Sequence, residues 1–439
     1  MLEEQNISVV AQARLCNTCG ACFGVCPAKA VDYQETVGGY FLPVVDEDAC
    51  IQCGLCFEVC PGVHFGKTLT SAMPKDPFVG KALESFVGKA TDKKIYENSQ
   101  SGGIVSALLV HALNTGRITG AVTVAMQPGS PPRPVARISK TVQEIRQAQK
   151  SKYCPVPVLG FLRELKDQED PVAVVGTSCQ IHGLKNVLDK KPKLQNKVAF
   201  TVGLVCERVL TYSAVDYFLS KAKIKSEQKN SNIHFKDKIA SGWYPGDVHV
   251  FSVNGESVII PSRTRMQIKD YFTPARCRLC FDKMNVFSDI TVGDPHGLDG
   301  VDRKRGESMM VARTELGHEI ICSAKEQGAI NIRPTEYAQV LKGQDINKKR
   351  EQWKGYCIAW AESGRDLPSF YSQVAENVGI NPDSLKYRKD LEHSLSLDDF
   401  TSRQDLIRYV DRAVQRRQAV QSLFSPLRLA KRVARKILK

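Results

Sequence analysis

Two cysteine runs near the N-terminus constrain this chain more than any other feature. The first reads Cys16-Asn-Thr-Cys19-Gly-Ala-Cys22-Phe-Gly-Val-Cys26-Pro27, and the second Cys50-Ile-Gln-Cys53-Gly-Leu-Cys56-Phe-Glu-Val-Cys60-Pro61. Each is C-x2-C-x2-C-x3-C-P, the bacterial iron–sulfur spacing. Three closely spaced thiolates of one run reach three irons of one cubane. The fourth, just before proline, points away and ligates the other cluster. Cys16, Cys19, Cys22 and Cys60 are assigned to one [4Fe–4S] cluster, and Cys50, Cys53, Cys56 and Cys26 to a second. A four-cysteine zinc site usually uses two separated C-x2-C pairs, not a triplet followed by C-P.

Residues 8–66 thus resemble a two-cluster bacterial-type ferredoxin. Between the runs, apolar residues alternate around Gly38-Gly39, which predicts a small hairpin. After Pro61 a Gly/Pro-punctuated stretch reads as a linker to about Phe78. With 439 residues, two or three domains are expected. Fifteen cysteines in a chain this long, at metal-like spacing, argue against a disulfide scaffold and for a reducing compartment. No apolar stretch nears the roughly 18 residues of a spanning helix, and Met-Leu-Glu-Glu-Gln lacks a signal core. The expected location is therefore cytoplasmic.

Downstream, Ser101-Gly102-Gly103 precedes a helical pattern from Ile104 to Asn114-Thr-Gly116. Serine and glycine before a helix leave backbone N–H groups beside its positive end, which suits a phosphate; a capped helix with a glycine turn fits equally. Ala121–Ala125 reads as a strand, Pro128–Pro134 as a loop, and a polar helix precedes Ser151-Lys152-Tyr153. Pro171–Gly176, then Thr177-Ser178-Cys179-Gln180, is a buried strand, a tight turn and a helix, as in α/β sheets whose ligands lie at carboxyl strand ends. Val198–Cys206 and Ser288–Asp294 are further strands, and residues 223–262, broken by Gly242, Gly246 and Asn254-Gly255, read as a hairpin insertion. Cys179 and Cys206 each close a strand, and Cys277-Arg-Leu-Cys280 adds a pair, four thiols that could serve a third cubane or simply be buried. Cys154, Cys322 and Cys357 read as structural.

In order along the chain, Ser101-Gly-Gly, Ser151-Lys-Tyr, Gly176-Thr-Ser-Cys-Gln, Gly203-Leu-Val-Cys, Cys277-Arg-Leu-Cys-Phe-Asp and Val292-Gly-Asp resemble the family of coenzyme F420 hydrogenase and dehydrogenase beta subunits. The resemblance covers about residues 84–335. It implies a non-covalent FAD and a [4Fe–4S] cluster in this region, with electron traffic between flavin and clusters. The cluster would use Cys179, Cys206, Cys277 and Cys280; the flavin would lie near Ser101, Gly102, Gly103, Lys152, Thr177 and Asp294. The glycines would let backbone approach a pyrophosphate, and Lys152 would offset its charge. The family usually has proline where this chain has Ser178. Its chlorophyll-reducing members also differ in their cysteine pattern, which turns the reading away from chlorophyll chemistry.

The net charge of +14 is uneven. Residues 1–66 carry Arg14 and Lys29 against eight acids, whereas residues 401–439 carry eleven Lys or Arg against Asp405 and Asp411. Ser425-Pro426 reads as a helix start, followed by a basic amphipathic helix suited to an anionic membrane surface, an acidic partner or the acidic ferredoxin region. No aromatic interleaving accompanies the charge, so nucleic acid is not the expected partner.

The fold expected is α+β / α/β. Residues 1–70 form a ferredoxin-like 2[4Fe–4S] domain and residues 84–335 a mixed α/β flavin-binding domain; 336–424 is a polar, partly helical extension and 425–439 the basic tail. The function expected is an iron–sulfur flavoprotein oxidoreductase, passing electrons between a hydride carrier such as coenzyme F420 and ferredoxin-type clusters through FAD. An electron-relay component of a larger complex, or a ferredoxin-dependent reductase of an organic substrate, are the alternatives. A redox partner protein is expected, peripheral membrane contact and oligomerisation being compatible with the chain, and no catalytic residue is assigned.

Overall fold

The computed structural model describes residues 6–165, 170–223, 231–238, 240–252, 255–375, 378–379 and 382–437, with side chains to residue 420. The acidic start at residues 1–5, Asn254 and the side chains of the basic segment 425–439 lie outside the described residues. Strand β1, Val31–Glu35, pairs with β2, Phe41–Val45, in the expected hairpin, Val31 opposite Val45 and Glu35 opposite Phe41.

The larger body is one eight-stranded sheet. Its members are β3 (Glu84–Ala90), β4 (Gly120–Gln127), β5 (Arg133–Ser139), β6 (Val172–Gly176), β7 (Val198–Leu204), β11 (Ile290–Gly293), β12 (Ser308–Ala312) and β13 (Ile330–Pro334). Their order is β13-β3-β12-β11-β7-β6-β4-β5. Strands β4, β6, β7 and β11 are parallel neighbours, while β12 runs against β11 and β3 against β12. The carboxyl ends of β3, β6, β7 and β11 and the amino end of β12 therefore share one edge. The interior strands are apolar almost throughout, as strands covered on both faces must be; all five residues of β12 are buried.

Alternation sorts their side chains. Ala173, Phe200, Val202, Ile290 and Met310 pack with helices Ile104–Asn114 and Glu315–Glu326 on one face. Val122, Val172 and Val174 pack with Leu184 and Val187 of helix Ser178–Lys190 on the other. The insertion is a three-stranded antiparallel meander: β8 (Ser231–Asp237), β9 (Asp247–Ser252) and β10 (Ser257–Ile260).

Three expectations need correction. Residues 62–78 are not a free linker. Helix Lys67–Ser71 is tied to helix Ser178–Lys190, Gly66 N donating to Asn186 Oδ1 at 2.9 Å and Thr68 N to Asp189 Oδ2 at 2.8 Å. Phe65 stacks on Phe370 at 4.1 Å, and the fully buried Phe78 meets Trp353 edge-on at 5.6 Å. Glycine and proline shape the turns here, but two large aromatics fix the path. Pro128–Pro134 is not all loop, since β5 begins at Arg133 with Pro134 opposite Met126; proline is tolerated because β5 is an edge strand. The final helix does not start at Ser425: one helix runs from Arg403 to Ile437. Among the described residues no helix is long and apolar enough to cross a membrane.

Phe78→Ala is expected to destabilise the protein by about 3–5 kcal/mol, the usual cost of emptying a buried aromatic site. A thermal melt of anaerobically prepared protein checks it; an unchanged midpoint would restore the linker reading.

Candidate redox site

None of the fifteen cysteines forms a disulfide. The ferredoxin cysteines lie close to one another. Cys22 lies within electrostatic reach of Cys16, Cys60 and Cys56, Cys19 of Cys60 and Cys22, and Cys56 of Cys26 and Cys53. Cys60, distant from Cys16 in sequence, sits beside it in space. Burial pushes Cys16 up to about 11 and Cys60 to about 12. The structure also brings the dispersed set together: Cys179 neighbours Cys280 and Cys277, and Cys206 neighbours all three. Burial raises Cys179 to about 12 and Cys280 to about 11. Such buried thiols become thiolates only for a ligand that repays the deprotonation, as a metal centre does.

Sulfur spacing bears on the choice between cubane and zinc. A tetrahedral zinc with Zn–S near 2.3 Å draws its sulfurs to about 3.8 Å of one another. Among the described residues no three cysteine sulfurs lie within 4.8 Å of one another. Each set is therefore more open than a closed tetrahedral zinc site.

The dispersed set abuts the ferredoxin part. Cys179 stands in the first turn of helix Ser178–Lys190, and Gly183, four residues on, lies on the same face. A Cβ on Gly183 would press on Leu159 Cδ1 at 3.0 Å and on Cys19 Sγ at 3.3 Å, so the missing side chain eases the seating of the first cysteine run on this helix. Cys19 and Cys179 are accordingly within electrostatic reach. Ser178, the departure from the family's proline, occupies the first helical position, where proline also fits. Its hydroxyl donates to Asp282 O at 2.5 Å, so a hydrogen bond anchors the turn. Thr177 is the N-cap, boxed with Gln180, its Oγ1 3.4 Å from Cys179 Sγ. Thr177 thus sits with the cysteines.

Four of the six expected flavin residues gather at the shared strand edge. Gly102 N donates to Ser308 Oγ at 3.1 Å, and Ser101 Oγ lies 3.1 Å from the same atom. A Cβ on Gly102 would strike Gly88 O at 2.5 Å and Ser308 N at 2.6 Å, so this glycine serves close packing over β3 and β12. Gly103, at φ 76°, is an N-cap without a side-chain hydrogen bond, which leaves the first N–H groups of helix Ile104–Asn114 to other acceptors. Asp294, just past β11, bonds Ser101 and pairs with Lys236 Nζ at 2.5 Å. Burial favours its neutral form, but Lys236 and His296 outweigh that and hold it below the usual carboxylate range.

The Lys152 ammonium is occupied by nearby carbonyls. Its Nζ donates to Ala148 O at 2.5 Å and Gln149 O at 2.7 Å, and burial, with Lys150 and Arg137, pushes it down to about 7. A cation beside the Ser101 loop is Lys238, whose Nζ donates to Tyr96 O at 2.7 Å and Ser101 O at 3.3 Å. Lys236 and Lys238 come from β8 and the turn after it, in the insertion; nothing local in the sequence marked them. His234, Asp237 and His249 also cluster there, but Lys150 Nζ lies 3.0 Å from Asp237 and 3.1 Å from His234 and already supplies the cation.

Asp294→Asn leaves the buried Lys236 ammonium unpaired, and a loss of about 3–5 kcal/mol is expected. Because the folded carboxyl is held low, the pair's contribution is complete above the ordinary Asp value and disappears as pH falls through the folded one. Thermal melts of both proteins across acidic pH check this; the gap should close on the acid side.

Comparison with known proteins agrees with this architecture. Residues 15–62 match a 4Fe-4S dicluster domain. Residues 85–163 match the N-terminal part, and 169–337 the C-terminal part, of the coenzyme F420 hydrogenase/dehydrogenase beta subunit. The chain is similar to coenzyme F420 hydrogenase subunit beta of Methanosarcina barkeri, 28% identical over 63% of this chain and 90% of that one. It is 28% identical to one component of the F(420)H(2) dehydrogenase of Methanosarcina mazei, over 79% and 92% respectively. To the coenzyme F420-dependent sulfite reductase of Methanocaldococcus jannaschii it is 26% identical over 81% of this chain, spanning 54% of that protein. In fold it resembles a chain of the F420-reducing [NiFe] hydrogenase complex of Methanosarcina barkeri, with a TM-score of 0.53, 24% identity, and coverage of 68% of this chain and 100% of that one. The two parts of the beta-subunit model together take in more than half of the sequence, and this chain, an oxidoreductase with a 4Fe–4S domain at its N-terminal end, belongs to the family of coenzyme F420 hydrogenase/dehydrogenase beta subunits.

Proposed function

We propose that this oxidoreductase moves electrons between a hydride carrier of the coenzyme F420 type and a partner protein, using FAD and three [4Fe–4S] clusters. The observation that carries this reading is the contiguity of the cysteine sets. The third set, Cys179, Cys206, Cys277 and Cys280, meets the first at Cys19, and the first meets the second between Cys22 and Cys56. FAD, when bound, accepts a hydride and releases single electrons, which is what joins a two-electron carrier to one-electron clusters. Ser101, Gly102, Gly103 and Asp294 would hold it at the strand edge, with Lys236 and Lys238 supplying the positive charge expected of Lys152. Thr177 caps the helix that presents Cys179.

The second set reaches the surface at one end. Cys53 is exposed and Ile51 is 65% exposed, and both follow the exposed acids Asp46, Glu47 and Asp48. A basic electron-transfer partner suits an apolar tip beside an acidic run, and the relatives named as components of hydrogenases and dehydrogenases favour a protein at this end. Replacing the three acids with their amides is expected to slow reduction of a cationic one-electron acceptor severalfold, and raising salt should slow the unmodified protein in the same way. Salt-independent rates would remove this surface from the reading.

Anaerobically purified protein is expected to hold about twelve irons and one FAD per chain, and Cys206→Ser about eight irons with the ferredoxin signals intact. Reduced coenzyme F420 should bleach the flavin band. About eight irons in the unmodified protein would overturn the third cluster, and an unbleached flavin would overturn the carrier.

A further inference from the structure

Arg276 is a buried cation whose partners are unusual. It lies in helix Ala275–Arg278 immediately before Cys277 and is 6% exposed. Its guanidinium donates to Tyr371 Oη at 2.5 Å and to Pro61 O at 3.3 Å, with Gly62 O at 3.5 Å, and among the described residues its Nε has no hydrogen-bond partner. Pro61 and Gly62 directly follow the ferredoxin ligand Cys60. The side chain thus reaches from the helix of the third cysteine set to the turn that closes the first. Among the described residues no carboxylate lies within ion-pair distance of it, whereas the equally buried Arg278 has Asp390 at 3.6 Å and Lys349 has Glu207 at 3.8 Å. A buried charge without a counter-charge is costly, so negative charge is expected nearby. Cys16 and Cys60 of the first set and Cys179, Cys277 and Cys280 of the third lie within electrostatic reach of Arg276, as does Cys357.

We infer that Arg276 is the shared counter-cation of the first and third cysteine sets, stabilising the reduced, more negative state of the cluster in each and so drawing both to higher potential. This rests on the proposed third cluster. The second set, Cys26, Cys50, Cys53 and Cys56, opens to solvent at Cys53, where charge is screened, and is the internal control.

Redox-titrated EPR of the whole chain, with iron counted first, tests it on Arg276→Gln and Arg276→Lys. Poised at the unmodified midpoints, the first and third clusters of Arg276→Gln should show a reduced-to-oxidised ratio at least tenfold lower, about 59 mV for a one-electron couple. The second cluster should change less than twofold, and Arg276→Lys should restore most of the loss. Equal shifts of all three clusters, or none, would overturn the inference. If Arg276→Gln loses iron from both sets while Arg276→Lys keeps it, charge is again what matters; loss from both variants would overturn the role as counter-cation. Eight irons in the unmodified chain would instead be a failure of the third-cluster reading.

Discussion

Everything in this molecule depends on seating a cysteine-rich strip of chain directly on one helix of a large sheet. Helix Ser178–Lys190 eases this at Gly183, where a Cβ would press on Leu159 Cδ1 at 3.0 Å and on Cys19 Sγ at 3.3 Å. The same helix offers Cys179 in its first turn and binds the segment after the second run through Asn186 and Asp189. One element therefore orders the first cysteine set, the third, and the path between the ferredoxin part and the sheet. Close approach matters because electron transfer demands short distances, and a flexible tether between two separate domains would not supply them.

The polar extension after residue 335 has a structural task that follows from this seating. Its longest helix before the tail, Ile346–Glu362, buries Trp353 and Trp360 at 1% exposure each. Trp353 Nε1 donates to Leu279 O at 3.0 Å, inside the Cys277–Cys280 segment, and Tyr371 Oη donates to the same carbonyl. Arg278 is fixed by Tyr356 at 2.7 Å and Ser394 at 2.6 Å. The short helix carrying the C-x2-C pair is too brief to be stable alone, and these contacts hold it from outside.

The cysteine runs, the Gly38-Gly39 hairpin, the helix from Ile104 and the strands before Cys179 and Cys206 were legible in the sequence, because each carries a local signal: fixed ligand spacing, alternation or a capped turn. Phe65 and Phe78 were misread because their packing partners, Phe370 and Trp353, are hundreds of residues away. Lys152 was a sound choice by motif, yet burial turned its ammonium onto nearby carbonyls. Lys236 and Lys238 were invisible for the converse reason: only the fold of the insertion sets them against Ser101 and Asp294. Register within a strand is a property of sequence; which insertion folds over which strand end is not.

Charge divides the molecule along the same lines. Cations concentrate where reduced groups would need them, as Lys236 and Lys238 do beside the Ser101 loop and Arg276 does among the sulfurs. Acids concentrate at the exposed tip, on Asp46, Glu47 and Asp48. A buried cation makes a reduced neighbour easier to form, whereas a solvated acid barely alters a cluster's energy but acts at long range on an approaching protein. Interior charges of this kind would bear on whether an electron is held, and surface charges on which protein approaches. A change of salt therefore acts on the exposed tip and leaves Arg276 and Lys236, shielded from solvent, almost untouched.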